Sequence, residues 1–342
     1  MSKLTVFVGL DYHRDSIQVC VVNSNGEVLG NRRVVNDVLA VVRYAQAFGQ
    51  VSRAAIESCP GAADFSEELV QDGWHVDLAH PGYVSRMKQN PDKTDFSDAR
   101  MLADLTRVGY LPRVWLAPHA VRELRRLVRY RQQLVDERRK LKQRIGAMLR
   151  DQRIKEPETI NRWTQSWLNW LAACEELSEE SRWIIDRHLV RLTSLAGEIN
   201  AVMRRLREAT RDDTTVARLL ELPGVGEVTA FVLRAEIGHF ERFANGKQLS
   251  RFCGLSPRNA SSGNRQADAG LIKQASPALR CIVIEAAHRL IRHDPRWNSL
   301  AKRLRDDGKP GSVVAAAVGN RWMRWLYHRL IEQESSSPIT AA

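Results

Sequence analysis

The sequence predicts an α/β N-terminal domain (1–112), a long helical, coiled-coil-like stalk (113–212) and a mainly α C-terminal domain (213–334), with a flexible tail (335–342). Three observations predict this. Short apolar runs alternate with helical spacings before residue 90, a densely charged stretch with seven-residue leucine spacing follows from His119, and helices broken by glycine and proline occupy the remainder. At 342 residues the chain is long enough for two domains with sizeable cores.

Thr5 to Tyr12 is a short apolar run that reads as a buried strand. Ile17 to Val22 and Glu27 to Val35 flank Asn23-Ser24-Asn25-Gly26, whose Asn-Gly pair signals a hairpin. Asp37 to Phe48 has helical spacing at Val38, Val41, Val42 and Ala45. Val51 to Glu57 reads as a fourth strand stopped by Pro60-Gly61, Ala62 to Gln71 as a helix and His75 to Ala79 as a fifth strand. Pro81 opens a further turn or helix. Three strands, helix, strand, helix, strand, helix is the order of the ribonuclease H-like fold.

The stretch from Lys93 to Leu105 anchors the functional argument. Asp95 and Asp98 are three residues apart, so a helix projects both carboxylates from one face, with Ala99, Leu102, Ala103 and Leu105 behind them. Asp11 ends the first strand and Glu57 the fourth, and in this topology those strands are neighbours. Each acid alone has an ordinary account: Asp11 caps a turn, Glu57 is surface, and Asp95 answers the helix dipole. Four acids at one sheet edge are better explained together by a hard divalent cation, Mg²⁺ with Mn²⁺ as substitute. Two such ions about 4 Å apart support attacking and leaving oxygens in phosphoryl transfer.

Composition points the same way. Lys and Arg number 52 against 40 Asp and Glu, a formal charge of +12, which suits a polyanion such as DNA. The five scattered cysteines argue against a zinc or disulfide framework, and no apolar run is long enough to span a bilayer. The expectation is a cytoplasmic protein without a membrane partner.

V-G-L-D-Y-H, A-I-E-S-C-P-G and K-T-D-F-S-D-A-R-M-L-A, in that order, resemble the Asp-Glu-Asp-Asp motif of an insertion-sequence transposase family. That family includes Piv-type DNA invertases and bridge-RNA-guided recombinases, and its N-terminal domain resembles the RuvC resolvase. The matched residues are Asp11, Glu57, Asp95 and Asp98.

His119 to Arg150 carries Leu127, Leu134, Leu141 and Met148 every seventh residue, widened by Leu124, Val128, Val135 and Ile145. Arg162 to Leu171 places Trp163, Trp167 and Trp170 at helical spacing, which reads as core before a base-stacking platform, and Ser178 to Thr210 is a second long helix. Together they read as an antiparallel stalk that spaces domains or carries a dimer contact. Ala217 to Leu222 and a helix ending at Ile237 flank Leu-Pro-Gly-Val-Gly, which resembles a helix-hairpin-helix motif with Gly224 and Gly226 at DNA phosphates.

Phe252 to Arg280 is broken by Gly254, Pro257, Gly263 and Gly270, with Ser261-Ser262-Gly263 among Arg258, Arg265, Lys273 and Arg280. From the residues alone this is a phosphate-binding or plain turn loop, or a site where a serine attacks phosphate. G-L-S-P, S-S-G and G-L-I-K followed by A-L-R resemble the family's C-terminal domain, which implies Ser262 as nucleophile and Ser261 as its fallback. Where relatives commonly show a glycine turn, this chain has Gln274-Ala275-Ser276-Pro277. Helices are expected over Cys281 to Arg292 and Ser312 to Ile331.

The resemblance implies a transposase or site-specific recombinase that cuts and rejoins donor and target DNA. It further implies a non-coding guide RNA, a dimer assembling into a tetrameric synapse, and activity at the bacterial nucleoid. Two rivals are a metal-only endonuclease like a Holliday-junction resolvase, in which water attacks, and a nucleic-acid-binding protein with a degenerate site.

Overall fold

In a computed structural model, described for residues 4–87, 94–259, 268–272 and 275–334, the chain divides into two compact units, Met1–His119 and Ala120–Ala342. The first is built on a six-stranded mixed sheet. Its strands are β1 (Thr5–Tyr12), β2 (Ser16–Asn23), β3 (Val28–Val35), β4 (Gln50–Glu57), β5 (Val76–Ala79) and the two-residue β6 (Arg113–Val114), in the order β3-β2-β1-β4-β5-β6. The hairpins β1–β2 and β2–β3 are antiparallel, β4 and β5 run parallel to β1, and β6 closes the edge antiparallel. The turn between β2 and β3 forms where Asn23 Oδ1 accepts the N–H groups of Asn25 and Glu27, while Gly26 takes φ +88°.

Helices α1 (Val38–Gln46), α2 (Ala62–Gln71), α3 (Pro81–Met87) and α4 (Asp95–Arg107) complete this unit. Leu10, Val8 and Ile56 face one core, shared with Val41 of α1 and Phe65 and Leu69 of α2. The opposite face takes α4. Its Ala99 and Ala103 pack with Cys20 and Val22 of β2, and its Leu102 with Ala55 and Ala79. The approach is close because Gly9 lies beneath: a Cβ there would stand 1.9 Å from the Ala99 carbonyl oxygen and 2.4 Å from the Ala103 nitrogen. A glycine on β1 and two alanines on α4 let the backbones meet.

The second unit opens with α5 (His119–Asp151, whose first residue ends the preceding unit), followed by α6 (Gln165–Ala173) and α7 (Glu179–Ala209). The leucine seam of α5 serves two cores. Leu124, Val128, Leu134 and Leu141 join one with Leu195, Ile199 and Leu206 of α7, whereas Ile145 and Leu149 join another with Trp167, Leu171 and Ile185. Trp163 departs from the helical expectation. It has φ +69°, and α6 starts only after Thr164, whose hydroxyl accepts the Trp167 N–H. Trp167 is buried as core, as its spacing predicts.

Six further helices follow: α8 (Thr214–Leu220), α9 (Glu227–Ile237), α10 (Gly246–Phe252), α11 (Pro277–His293), α12 (Pro295–Asp306) and α13 (Gly311–Glu334), with the hairpin β7 (Pro257–Asn259) and β8 (Asp268–Leu271) before α11. They share the larger core, in which Trp322, Phe240 and Leu233 are buried. Glu236 is buried at the end of α9 and receives a two-pronged pair from Arg129 of α5, Nε at 2.9 Å and Nη2 at 3.1 Å. The expected tail, 335–342, lies outside the described residues. Among the described residues no helix is long and apolar enough to cross a membrane.

Candidate active site

Gly9 and Asp11 are two residues apart on β1, so Asp11 projects from the face on which α4 covers Gly9. Asp95 is one helical turn N-terminal to Ala99, the residue seated on Gly9. One turn of helix and two residues of strand cover similar lengths, roughly 5 and 7 Å, which brings Asp95 over Asp11. Their nearest ligand atoms, with those of His13, lie within 4.8 Å of one another, and this is the single such group of three among the described residues. His13 Nε2 is 3.2 Å from Asp11 Oδ2 and 3.4 Å from Asp95 Oδ1.

Glu57 and Asp98 stand outside that trio but share its neighbourhood. Leu10 pairs with Ile56 in parallel register, so Glu57 is next to Asp11 along the same edge. Ala55 faces α4, and Glu57, two residues on, belongs to the same face. Burial pushes the Cys59 thiol up, and the Glu57 and Asp11 carboxylates add to the shift. Asp98 is only 7% exposed, on the first turn of α4.

The local sequence fixes the helix start. Thr94 accepts the Ser97 N–H while Ser97 Oγ accepts the Thr94 N–H, a reciprocal cap that sets Asp95 at the first helical position. β3 steadies the same end: Arg33 Nη2 donates to Asp95 Oδ2 and Asn31 Nδ2 donates to the Phe96 carbonyl. Burial raises the Asp11 carboxyl above its ordinary value. His13 opposes the rise, and the negative charges of Asp95 and Asp98 reinforce it. An open cleft of about 380 Å³, lined by His13, Arg14, Ser16, Arg33 and Asp95, leads onto the cluster.

These residues fit a divalent cation. Oxygen donors converge from two elements, and burial and the neighbouring carboxylates disfavour the charge on Asp11, a cost that a cation removes. His13 and Arg33 are the contributors that sequence reasoning missed. His13 stands two residues after Asp11, a spacing that by itself does not separate a site residue from an ordinary turn residue.

In the second unit, Ser261, Ser262, Arg265 and Lys273 lie outside the described residues. Their flanks are described. β7 and β8 pair Pro257 with Leu271 and Asn259 with Asp268, and Arg258 is exposed on β7. Arg280 donates through Nη2 to the Ile272 carbonyl and packs against Gly254, at φ +70°, so it braces the base of the hairpin. Gly224, at φ +76°, turns the chain between α8 and α9, where a Cβ would press on Leu290; its carbonyl accepts from Arg289 Nε. Gly226 caps α9, and Glu227 at that end pairs with Arg207 Nε at 2.7 Å, which holds its carboxyl low.

Comparison with known proteins adds two family matches. A DEDD-type IS110 model described as "Transposase" matches residues 8–153, which span the acid cluster, and "Transposase IS116/IS110/IS902 family" matches residues 216–302. The chain is 25% identical to the transposase for insertion sequence element IS1111A of Coxiella burnetii, over 93% of this chain and 88% of that protein. It is 26% identical to the transposase for insertion sequence element IS1328 of Yersinia enterocolitica, over 93% and 94% of the two chains. A probable family 20 transposase of Pseudomonas aeruginosa is 26% identical, over 97% and 98%.

Proposed function

The chain belongs to the IS116/IS110/IS902 transposase family, and on that premise we propose that it cuts and rejoins DNA at a site holding a divalent cation. The observation that carries this reading is the convergence of Asp11 and Asp95, with Glu57 and Asp98 on the same face. A cation held by these carboxylates, Mg²⁺ before Mn²⁺, would polarise the scissile phosphate and support the attacking and leaving oxygens. His13 and Arg33 hold Asp95 in place between them, and Arg33 supplies a positive charge at the mouth of the cleft. The strand order β3-β2-β1-β4-β5, with α4 across the central strand, supports a ribonuclease H-like, RuvC-like domain.

Ser262 is our proposed nucleophile. Its oxygen forms a bond to phosphorus as the bond to the leaving deoxyribose oxygen breaks; the serine proton is lost and the leaving oxygen gains one. Support is the motif resemblance and the flanking hairpin braced by Arg280. Arg258, Arg265, Lys273 and the Gly224–Gly226 turn are proposed to contact phosphates. A non-coding guide RNA, a dimer made through the α5–α7 stalk and a tetrameric synapse complete the reading on the family resemblance.

The test combines the protein, RNA from its flanking locus, Mg²⁺ and labelled donor and target DNA on denaturing gels. Wild type should give a protein–DNA adduct that both Ser262→Ala and Asp95→Asn abolish. Cutting by Ser262→Ala without an adduct would leave a metal-only endonuclease instead.

A further inference from the structure

A groove of about 380 Å³ lies in the second unit between α5 and the segment that leads into α6. Its cationic lining is Arg138, Arg139, Lys142, Arg150 and Arg162, with Trp163 at one side. Acids neutralise part of this set: Asp136 pairs with Arg139 at 3.1 Å, and Glu156 accepts from Arg162 Nε at 2.6 Å. Among the described residues Arg138, Lys142 and Arg150 have no carboxylate partner. Burial and the charge of Arg138 draw the Lys142 ammonium below its usual value, a sign of cations crowded without an anion.

Two backbone features shape the groove. Gly146 sits within α5, where glycine costs about 1 kcal/mol relative to alanine. A Cβ there would meet Arg150 Nη1 at 3.5 Å and Arg162 Nη1 at 3.7 Å, ordinary contact distances, so both guanidinium groups lie over this position of the helix. Trp163 occupies the left-handed region, which a bulky residue adopts only when its surroundings enforce it. The indole leans on Trp167, centroids 4.6 Å apart, and carries Lys142 Nζ 4.6 Å from its ring centre.

We infer that this groove docks single-stranded nucleic acid, its phosphates among Arg138, Lys142 and Arg150 and one unpaired base on Trp163. Cations without partners call for a polyanion, and an aromatic face within them calls for a base whose own face is free, which a duplex hides. Lys142 covers the indole on a flexible stem; an arriving phosphate draws it aside and opens the ring. The site does not depend on the acid cluster, because binding here needs no metal.

The test is fluorescence anisotropy in EDTA with labelled oligouridylate and oligothymidylate of about twelve nucleotides, within the usual site size. Replacing Arg138, Lys142 and Arg150 together by alanine should flatten the slope of log affinity against log salt by about 2. A control with Lys302, Arg303 and Arg305 of α12 replaced should leave that slope unchanged. Trp163→Leu should weaken binding about 5- to 150-fold, and Trp163→Phe should recover most of it. Tighter binding of one oligonucleotide identifies the strand as RNA or DNA; equal binding assigns the groove to either. Circular dichroism melts confirm that each variant folds. An unchanged slope for the groove variant, or an equal effect of the α12 control, would overturn the inference. Intact strand binding by a protein that gives neither adduct nor cut product in the Mg²⁺ gel assay would instead sink the cleavage reading alone.

Discussion

Asp11 carries a proton more tightly in the folded chain than in the unfolded one, because burial and two nearby carboxylates disfavour its charge. The consequence for stability has a definite sign. Its folded value lies above the unfolded one, so its contribution is most favourable below the ordinary carboxylate value and declines as pH rises through the folded value. Asp11→Asn should therefore melt higher than wild type at pH 7 in EDTA, and the difference should vanish towards pH 3. Mg²⁺ should raise the melting temperature of wild type but not of Asp11→Asn, and the variant should cut at least about 100-fold more slowly, since even residues behind the ligands cost 10–100-fold. Thermal melts across pH with and without Mg²⁺ check both signs. At this scale the sequence was informative where chemistry and periodicity agreed. Asp95 and Asp98 declare a shared helix face by spacing, and Asp11 and Glu57 each end a run that reads as a strand. His13 and Arg33 were not legible: a histidine after a strand reads as a turn residue, and an arginine on an edge strand reads as solvent-exposed until its register is known.

Among elements, α4 on β1 matters most. The contact is made by backbone against backbone at Gly9, so no rotamer change can absorb an added atom. Gly9→Ala should destabilise the first unit by about 1–3 kcal/mol, the usual range for overpacking, and should displace Asp95 enough to lose Mg²⁺ stabilisation. Urea unfolding and a Mg²⁺ titration monitored by melting temperature measure the two effects. Legibility at this scale followed length. The long helices declared themselves by repeated leucines, yet the division of the α5 seam between two cores was hidden, because sequence spacing records an apolar stripe and not its partner. The two-residue β6, the short α10 and α12 went unread. β6 is too short for any period, and α12 follows α11 after Asp294 alone, a residue that ends one helix and caps the next.

For the whole molecule, a formal charge of +12 sets the terms of its encounter with DNA. If the protein neutralises about six to ten phosphates, duplex affinity should fall about 10³- to 10⁵-fold between 50 and 200 mM salt. Filter binding at those two concentrations checks it; a flat response would mean that the excess charge is spread too thinly to act as a DNA-binding face. The two-unit division also places the acid cluster entirely within Met1–His119 and the hairpin flanking Ser262 entirely within Ala120–Ala342.

The seating of α4 on Gly9 has a consequence in time. On the ribosome, Asp11 emerges early, in a hairpin that pairs with its immediate successors, whereas Asp95 and Asp98 belong to an element made long afterwards. Such distant partners meet late in folding. A nascent chain that has not yet released α4 therefore has half a cluster, and the cluster is whole only when synthesis of the first unit is nearly complete.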